Sequence, residues 1–513
     1  MTNDFLTLKT LYGGALAKFS DRAAVHFDGK TLTYDRLRRD GNRAAHALIE
    51  AGVRPNTRVA LLMSNCTEYV IADQGIIQAG AAKVPLNDML GEAEIVYNLA
   101  DSNARVAVVG PNFFDIVARR RDELPELETV IGLAPAEDCP EGFLAWADFL
   151  ARGAETPPEV AVQPDDLAIL LYTGGTTGRP KGVMHTQRSI SLNMLSHVME
   201  LNLQDDDRLL LSSPLPHSAG FLMLAGLLKG ATHYIESRFD PEMVVRRIRD
   251  DGATLTFMVP TMIYRVLDWI GDRQFDLGSL RTIVYGAAPI TVERLRQGLE
   301  VFGPVFMQLY GQSEAPNFIT RLRREDHRVE PEFSHRLRSC GQPVALAQVR
   351  IVDENGADVP VGESGEIAVR TPYNMLGYHR LPDKTAETLV DGWLRTGDVA
   401  SRDEDGYLYM LDRKKDMIIS GGMNVYTTEV ENAIQTCPGV GEVAVVGLPD
   451  DDWGEAVTAF VVARGDAELD EGAVIDHCRG VLSKYKVPKR VCFRNALPVT
   501  AYGKLDKKAL RQV

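Results

Sequence analysis

Residues 172–182 read Tyr172, Thr173, Gly174, Gly175, Thr176, Thr177, Gly178, Arg179, Pro180, Lys181 and Gly182, and they follow directly on an apolar run at 167–172. Glycine at 174, 175 and 178 lets the backbone turn its N–H groups toward one point, while the threonine hydroxyls and Lys181 add donors and positive charge. Such a loop suits a polyphosphate. It is not a Walker A loop, because that pattern needs Gly-Lys followed by Ser or Thr, and here Pro180 precedes Lys181 and Gly182 follows it. Further polar groups recur downstream: Pro216 with His217; Tyr310, Gly311, Gln312, Ser313 and Glu314; Thr396, Gly397 and Asp398; Asp412 to Asp416 with Gly421 and Gly422; and Gly503 with Lys504. Taken singly, each has an ordinary reading as a core histidine, a turn or a surface charge.

In this order and at these separations the motifs resemble those of the adenylate-forming superfamily, which contains acyl-CoA synthetases, firefly luciferases and the adenylation domains of peptide synthetases. The resemblance spans nearly the whole chain. It implies a reaction in which ATP activates a carboxylic acid as its acyl adenylate, pyrophosphate leaves, and the acyl group passes to coenzyme A, with Mg²⁺ as the metal. It also implies the site: Thr173 to Gly178 and Lys181 on the phosphates, Glu314 on Mg²⁺, and Asp398 with Arg413 on the ribose. Tyr310, Gly311 and Ser313, with Ala287 and Ala288 after a strand, would frame the adenine. His217 would border the acyl and carboxylate sites, and Lys504 would reach both the substrate carboxylate and the α-phosphate, neutralising charge between two anions. Lys415 resembles the hinge about which a C-terminal domain swings, withdrawing Lys504 and bringing Gly421 and Gly422 forward to line a pantetheine channel. The chain departs from the family pattern at Gly174, where Ser is usual, at Ser313, where Thr is usual, and at Thr427, where Pro is common.

Branched-residue runs at 58–63, 105–109, 167–172, 208–212, 254–259, 281–285 and 305–309 alternate with helical patterns such as 241–250 and 292–302. That alternation predicts α/β layers with buried parallel strands. Residues 134–166, rich in Pro, Glu and Ala, predict a surface connection. Shorter strands after Cys340 predict a small β-rich unit. Past Asp412, an α+β pattern includes a helix near Thr428 whose spacing to Glu431 suits a capping box, and another over 471–484. With the resemblance, the expected fold is α/β: an N-terminal domain, 1–412, of two α/β layered subdomains plus a small β-barrel-like subdomain, then a small mobile α+β C-terminal domain, 413–513.

The 71 acidic residues against 56 basic give a net charge of −15, the wrong sign for gripping a nucleic-acid backbone. Six scattered cysteines without metal-ligand spacing fit a reducing cytoplasm. The apolar stretch 209–228 is broken by Pro214, Pro216 and His217, so no integral membrane segment is expected. The resemblance implies a small-molecule carboxylic acid as the partner. Apolar, small residues in the segments 217–224, 285–288 and 308–316, with Tyr264, favour an uncharged tail, a medium- or long-chain fatty acid first, with an aryl or alicyclic acid as the alternative. An amine or carrier-protein thiol is the alternative acceptor. Residues 214–220 hold no Asp for the α-amine of an amino acid, and no appended carrier domain is expected after Lys504.

Overall fold

The computed structural model describes residues 6–173, 179–465, 467–499 and 505–512. Among them, two large sheets carry most of the chain. One is nine-stranded, and its inner strands Phe306–Gln312, Thr282–Tyr285, Leu255–Met258, Arg208–Leu211, Thr232–Ile235 and Ala23–Phe27 pair in parallel. The other is eight-stranded, with Leu167–Thr173, Ala82–Leu86, Arg58–Leu62, Val106–Val109, Thr129–Gly132 and Phe143–Ala145 parallel. These strands are short and apolar on both faces because helices cover both sides of the sheets. The helix Ser218–Lys229 lies in the core, with Ala219 to Leu227 all buried, which accounts for its apolar sequence. No helix among the described residues is long and apolar enough to cross a membrane.

One edge of the eight-stranded sheet positions chemically active side chains. Lys181–Thr186 folds back antiparallel on Leu167–Thr173, so that Thr173 and Lys181 face each other across the mouth of the glycine loop. The two-residue strand Gly377–Tyr378 then pairs with Lys181–Thr186, setting Tyr378 opposite Val183. Side chains two apart on a strand share a face, so Tyr378 stands diagonal to Lys181.

A third sheet of five antiparallel strands includes Gly365–Arg370, Trp393–Arg402 and Leu408–Arg413, and a fourth begins at Ile418–Ser420. The structure corrects three local readings. Residues 134–166 are no mere connection, because they hold the edge strand Phe143–Ala145 and the helix Trp146–Ala151. The helix Thr427–Gln435 is capped by Tyr426 with no side-chain bond, so the capping box does not form. Glu431 instead accepts from the Val445 N–H at 2.8 Å and pairs with Lys507 at 2.7 Å, a case of tertiary contacts overriding a local motif. The later helix ends at Val481.

Candidate active site

Thr173 and Lys181 hold the two ends of the glycine loop, the Thr173 hydroxyl donating to the Lys181 carbonyl at 3.5 Å. Gly174, Gly175, Thr176, Thr177 and Gly178 lie outside the described residues, as does Lys504. The Lys181 ammonium stands 4.0 Å from the centre of the Tyr378 ring, whose hydroxyl donates to Glu314 Oε1 at 2.6 Å. One aromatic side chain thus touches both the cation and the carboxylate. Burial and the neighbouring Glu314 push the Tyr378 hydroxyl well above its usual range, so it stays a donor. Glu314 is buried, and its carbonyl accepts from Met375 N at 2.8 Å. No group of three or more acidic, His or Cys side chains among the described residues could enclose a metal. A lone hard carboxylate fits Mg²⁺, which is commonly held by one or two protein oxygens plus substrate phosphates.

On the other side of the same turn, Tyr310 donates to Asp398 Oδ2 at 2.7 Å while Arg413 Nε approaches Oδ1 at 3.2 Å. The antiparallel pairing of Trp393–Arg402 with Leu408–Arg413 sets Asp398 directly opposite Arg413. Asp398 is buried, and burial first, then the adjacent carboxylate, hold the Tyr310 hydroxyl protonated. An ionised carboxylate has about four acceptor directions, so two stay available for a pair of sugar hydroxyls. Glu366 braces the turn from behind, accepting from Gly397 N at 3.0 Å and from Arg395 at 2.8 Å.

The strand Thr282–Tyr285 runs into Gly286, where an added Cβ would meet the Leu309 carbonyl oxygen at 2.5 Å, so only glycine fits. Ala287 follows at φ +65, a left-handed conformation costing about 1–3 kcal/mol for a non-glycine residue. Ala287 and Ala288 are exposed, small and adjacent to the strand that carries Tyr310. Gly311 and Ser313 continue that strand into its turn, and the Ser313 carbonyl accepts from His185 Nε2 at 2.7 Å. Burial lowers His185 to about 4, which keeps it neutral.

His217 precedes the helix Ser218–Lys229, and its ring Nε2 lies 2.8 Å from the Asn87 amide nitrogen. The loop that presents it is tied down by Asn65, whose amide donates to the Ser213 and Glu236 carbonyls, each at 3.0 Å, and accepts from Leu215 N at 2.9 Å. Lys415 follows Arg413 by two residues. Burial lowers its pKa, as do Arg413 and Lys181, while Asp416 and Asp398 oppose the shift, so Lys415 sits among the charges of both half-sites. Gly421 and Gly422 form the two-residue loop between Ile418–Ser420 and Met423–Val425, with φ of +58 and +77. That is the geometry of a type I′ hairpin turn.

The structure thus brings Lys181 and Glu314 together through Tyr378, and Asp398, Arg413 and Tyr310 into a second cluster. Tyr378, Asn87, Asn65 and Glu366 escaped the sequence reading. Nothing in their local spacing marks them, since each acts on a segment remote in the chain.

A model of the AMP-binding enzyme family matches residues 14–379, and one of the AMP-binding enzyme C-terminal domain matches residues 429–504. A feruloyl-CoA synthase of Amycolatopsis sp is 40% identical over 97% of this chain and 97% of its own length. A medium/long-chain-fatty-acid–CoA ligase of Mycobacterium tuberculosis is 37% identical over 97% of this chain and 88% of its own. Among solved structures, the amide bond synthetase McbA from Marinactinospora thermotolerans matches with a TM-score of 0.87 at 34% identity, covering 98% of this chain and 99% of that one.

Proposed function

The chain belongs to the AMP-binding enzyme family, and on that premise we propose that it joins a monocarboxylic acid with an uncharged tail to coenzyme A, with ATP cleaved to AMP and pyrophosphate. One observation carries the reading: a cation, Lys181, and a buried carboxylate, Glu314, share one tyrosine, and the turn carrying Glu314 leads through Tyr310 to the Asp398–Arg413 pair. That arrangement matches the needs of a nucleoside triphosphate, with positive charge and a metal ligand for phosphates and a paired carboxylate for the sugar.

In this reading Lys181 and the glycine loop bind the phosphates, Asp398 and Arg413 fix the ribose, and Tyr310 with Ala287 and Ala288 frames the base. Glu314 would hold Mg²⁺, which when bound neutralises phosphate charge. Lys504 delivers the positive charge needed as the substrate carboxylate nears the α-phosphorus. His217 borders the carboxylate. The C-terminal domain then turns about Lys415 to exchange Lys504 for the Gly421–Gly422 loop. Exposed Ile419, Met423 and Trp453 around that loop support the turn, because they leave apolar surface for a second docked position.

Fatty acids of medium or long chain are the first substrate class, and aryl acids form a second reading, favoured by the feruloyl-CoA synthase relative. The McbA match keeps an amine in view as acceptor. A panel of aliphatic and aromatic monoacids, dicarboxylates and amino acids, assayed for pyrophosphate, AMP and thioester with coenzyme A or an amine, tests all of this. Monoacids should give AMP and thioester in equal amounts. Preference for a dicarboxylate or amino acid would overturn the substrate reading, and adenylate or amide without thioester would overturn the acceptor.

A further inference from the structure

The Asn87 side chain is buried at the C-terminal end of Ala82–Leu86, between two partners that fix its orientation. Its Oδ1 accepts from Met89 N at 3.0 Å. A backbone N–H can only donate, so the amide oxygen must face Met89, and the NH₂ must then face His217 Nε2 at 2.8 Å. An amide NH₂ can only donate, so Nε2 must be the unprotonated, accepting nitrogen and the ring proton must sit on Nδ1. The imidazolium form is disfavoured as well, since it would set two donors against each other. We propose that Asn87 is a positioning residue that locks His217 as the neutral Nδ1–H tautomer, making it a standing hydrogen-bond donor rather than a general base. The proposal rests on the functional reading that puts His217 beside the substrate carboxylate.

Among the described residues, few charged side chains line the cavity at His217. Lys83 and Asp73 line the same small cavity of about 20 Å³ beneath His217, and they pair with each other at 2.8 Å with both side chains buried. Asp88 follows Asn87 in the chain, and the helix after His217 carries no charge before Lys229. With the preceding loop pinned through Asn65 at Ser213 and Leu215 and its ring through Asn87, His217 has its donor direction set before substrate arrives, the condition under which a donor is worth most to an anion.

The test uses the full chain labelled at its histidine ring nitrogens. Heteronuclear NMR should show His217 Nε2 as pyridine-like and Nδ1 as pyrrole-like from about pH 6 to about pH 9, a window spanning the ordinary histidine pKa. The near-isosteric Asn87→Asp replaces the donor with a carboxylate, which accepts from Nε2–H and stabilises the imidazolium. In that variant Nδ1 carries a proton only while the ring is charged. Acid-dependent ATP–pyrophosphate exchange should therefore survive at low pH and fall on the order of 10²-fold as pH rises through the elevated His217 pKa, whereas wild type stays flat across that step. A melting transition confirms that the variant folds, and Asn87→Ala, without the carboxylate, should lose rate with no such pH step. A proton on Nε2 in wild type overturns the inference, as does an exchange profile that Asn87→Asp leaves unchanged. The NMR arm needs no turnover, so it decides the tautomer even if the ligase reading fails, and unaltered exchange in His217→Ala would overturn that residue's assigned role instead.

Discussion

Tyr378 keeps two opposite charges in place with one side chain. Its ring seats the Lys181 ammonium at 4.0 Å, and its hydroxyl gives Glu314 a hydrogen bond of 2.6 Å. Tyr378→Phe retains the ring and removes the hydroxyl, and a hydrogen bond to a charged group is worth about 1.5–3 kcal/mol. The Mg²⁺ concentration giving half-maximal pyrophosphate exchange should therefore shift by about tenfold or more, with the ATP requirement at saturating Mg²⁺ little changed. An unaltered Mg²⁺ titration would mean that Glu314 does not meet the metal. At this scale the sequence was informative only where chemistry is concentrated in a short run. Lys181, Glu314 and Asp398 each stand in such a run. Tyr378 stands in a two-residue edge strand and Asn87 just past the end of Ala82–Leu86, and only the fold gives them partners.

In the proposed mechanism the glycine turn answers to two requirements. A two-residue hairpin at 421–422 needs positive φ at both positions, which accounts for the glycines without any channel. The pantetheine role is separable by experiment, because Asn tolerates the left-handed region that most side chains avoid. Gly421→Asn should keep the hairpin and the adenylation half-reaction, yet slow thioester formation by about tenfold or more as its side chain fills space beside Trp453, which an added Cβ meets at 3.0 Å. Equal loss in both half-reactions would show that the glycines serve only the turn. Elements were legible where the pattern was long: the helix predicted over 292–302 is Val292–Phe302, and the strand predicted over 281–285 is Thr282–Tyr285. They were missed where they are short or set by distant contacts. Trp146–Ala151 covers too few turns to show a period, and Glu431 left its capping position for Lys507 and the Val445 N–H.

Across the whole molecule, the described residues after Arg413 meet the sheet before them through a polar seam, in which Lys414 N donates to the Gly397 carbonyl at 2.8 Å and the Lys414 ammonium lies 3.6 Å from Glu366. Asp412 accepts from Thr427 N, and Ser364 bonds the Tyr426 hydroxyl at 2.8 Å. Beyond them the fourth sheet has its own core of Ile418, Val430, Val445 and Val457. A unit with its own core and a polar seam can turn as a body. The proposed two-step reaction would need such a turn, since in that reading Lys504 serves adenylation and must leave the carbonyl before a thiol can reach it.

The decisive measurement is made on Lys504→Ala, with both half-reactions followed on one preparation whose melting transition matches wild type. Adenylate formation, read as acid-dependent ATP–pyrophosphate exchange, should fall on the order of 10²–10³-fold or more, while thioester formation from ready-made acyl adenylate and coenzyme A should persist. Loss of both together, or survival of adenylation, would contradict the two-step account.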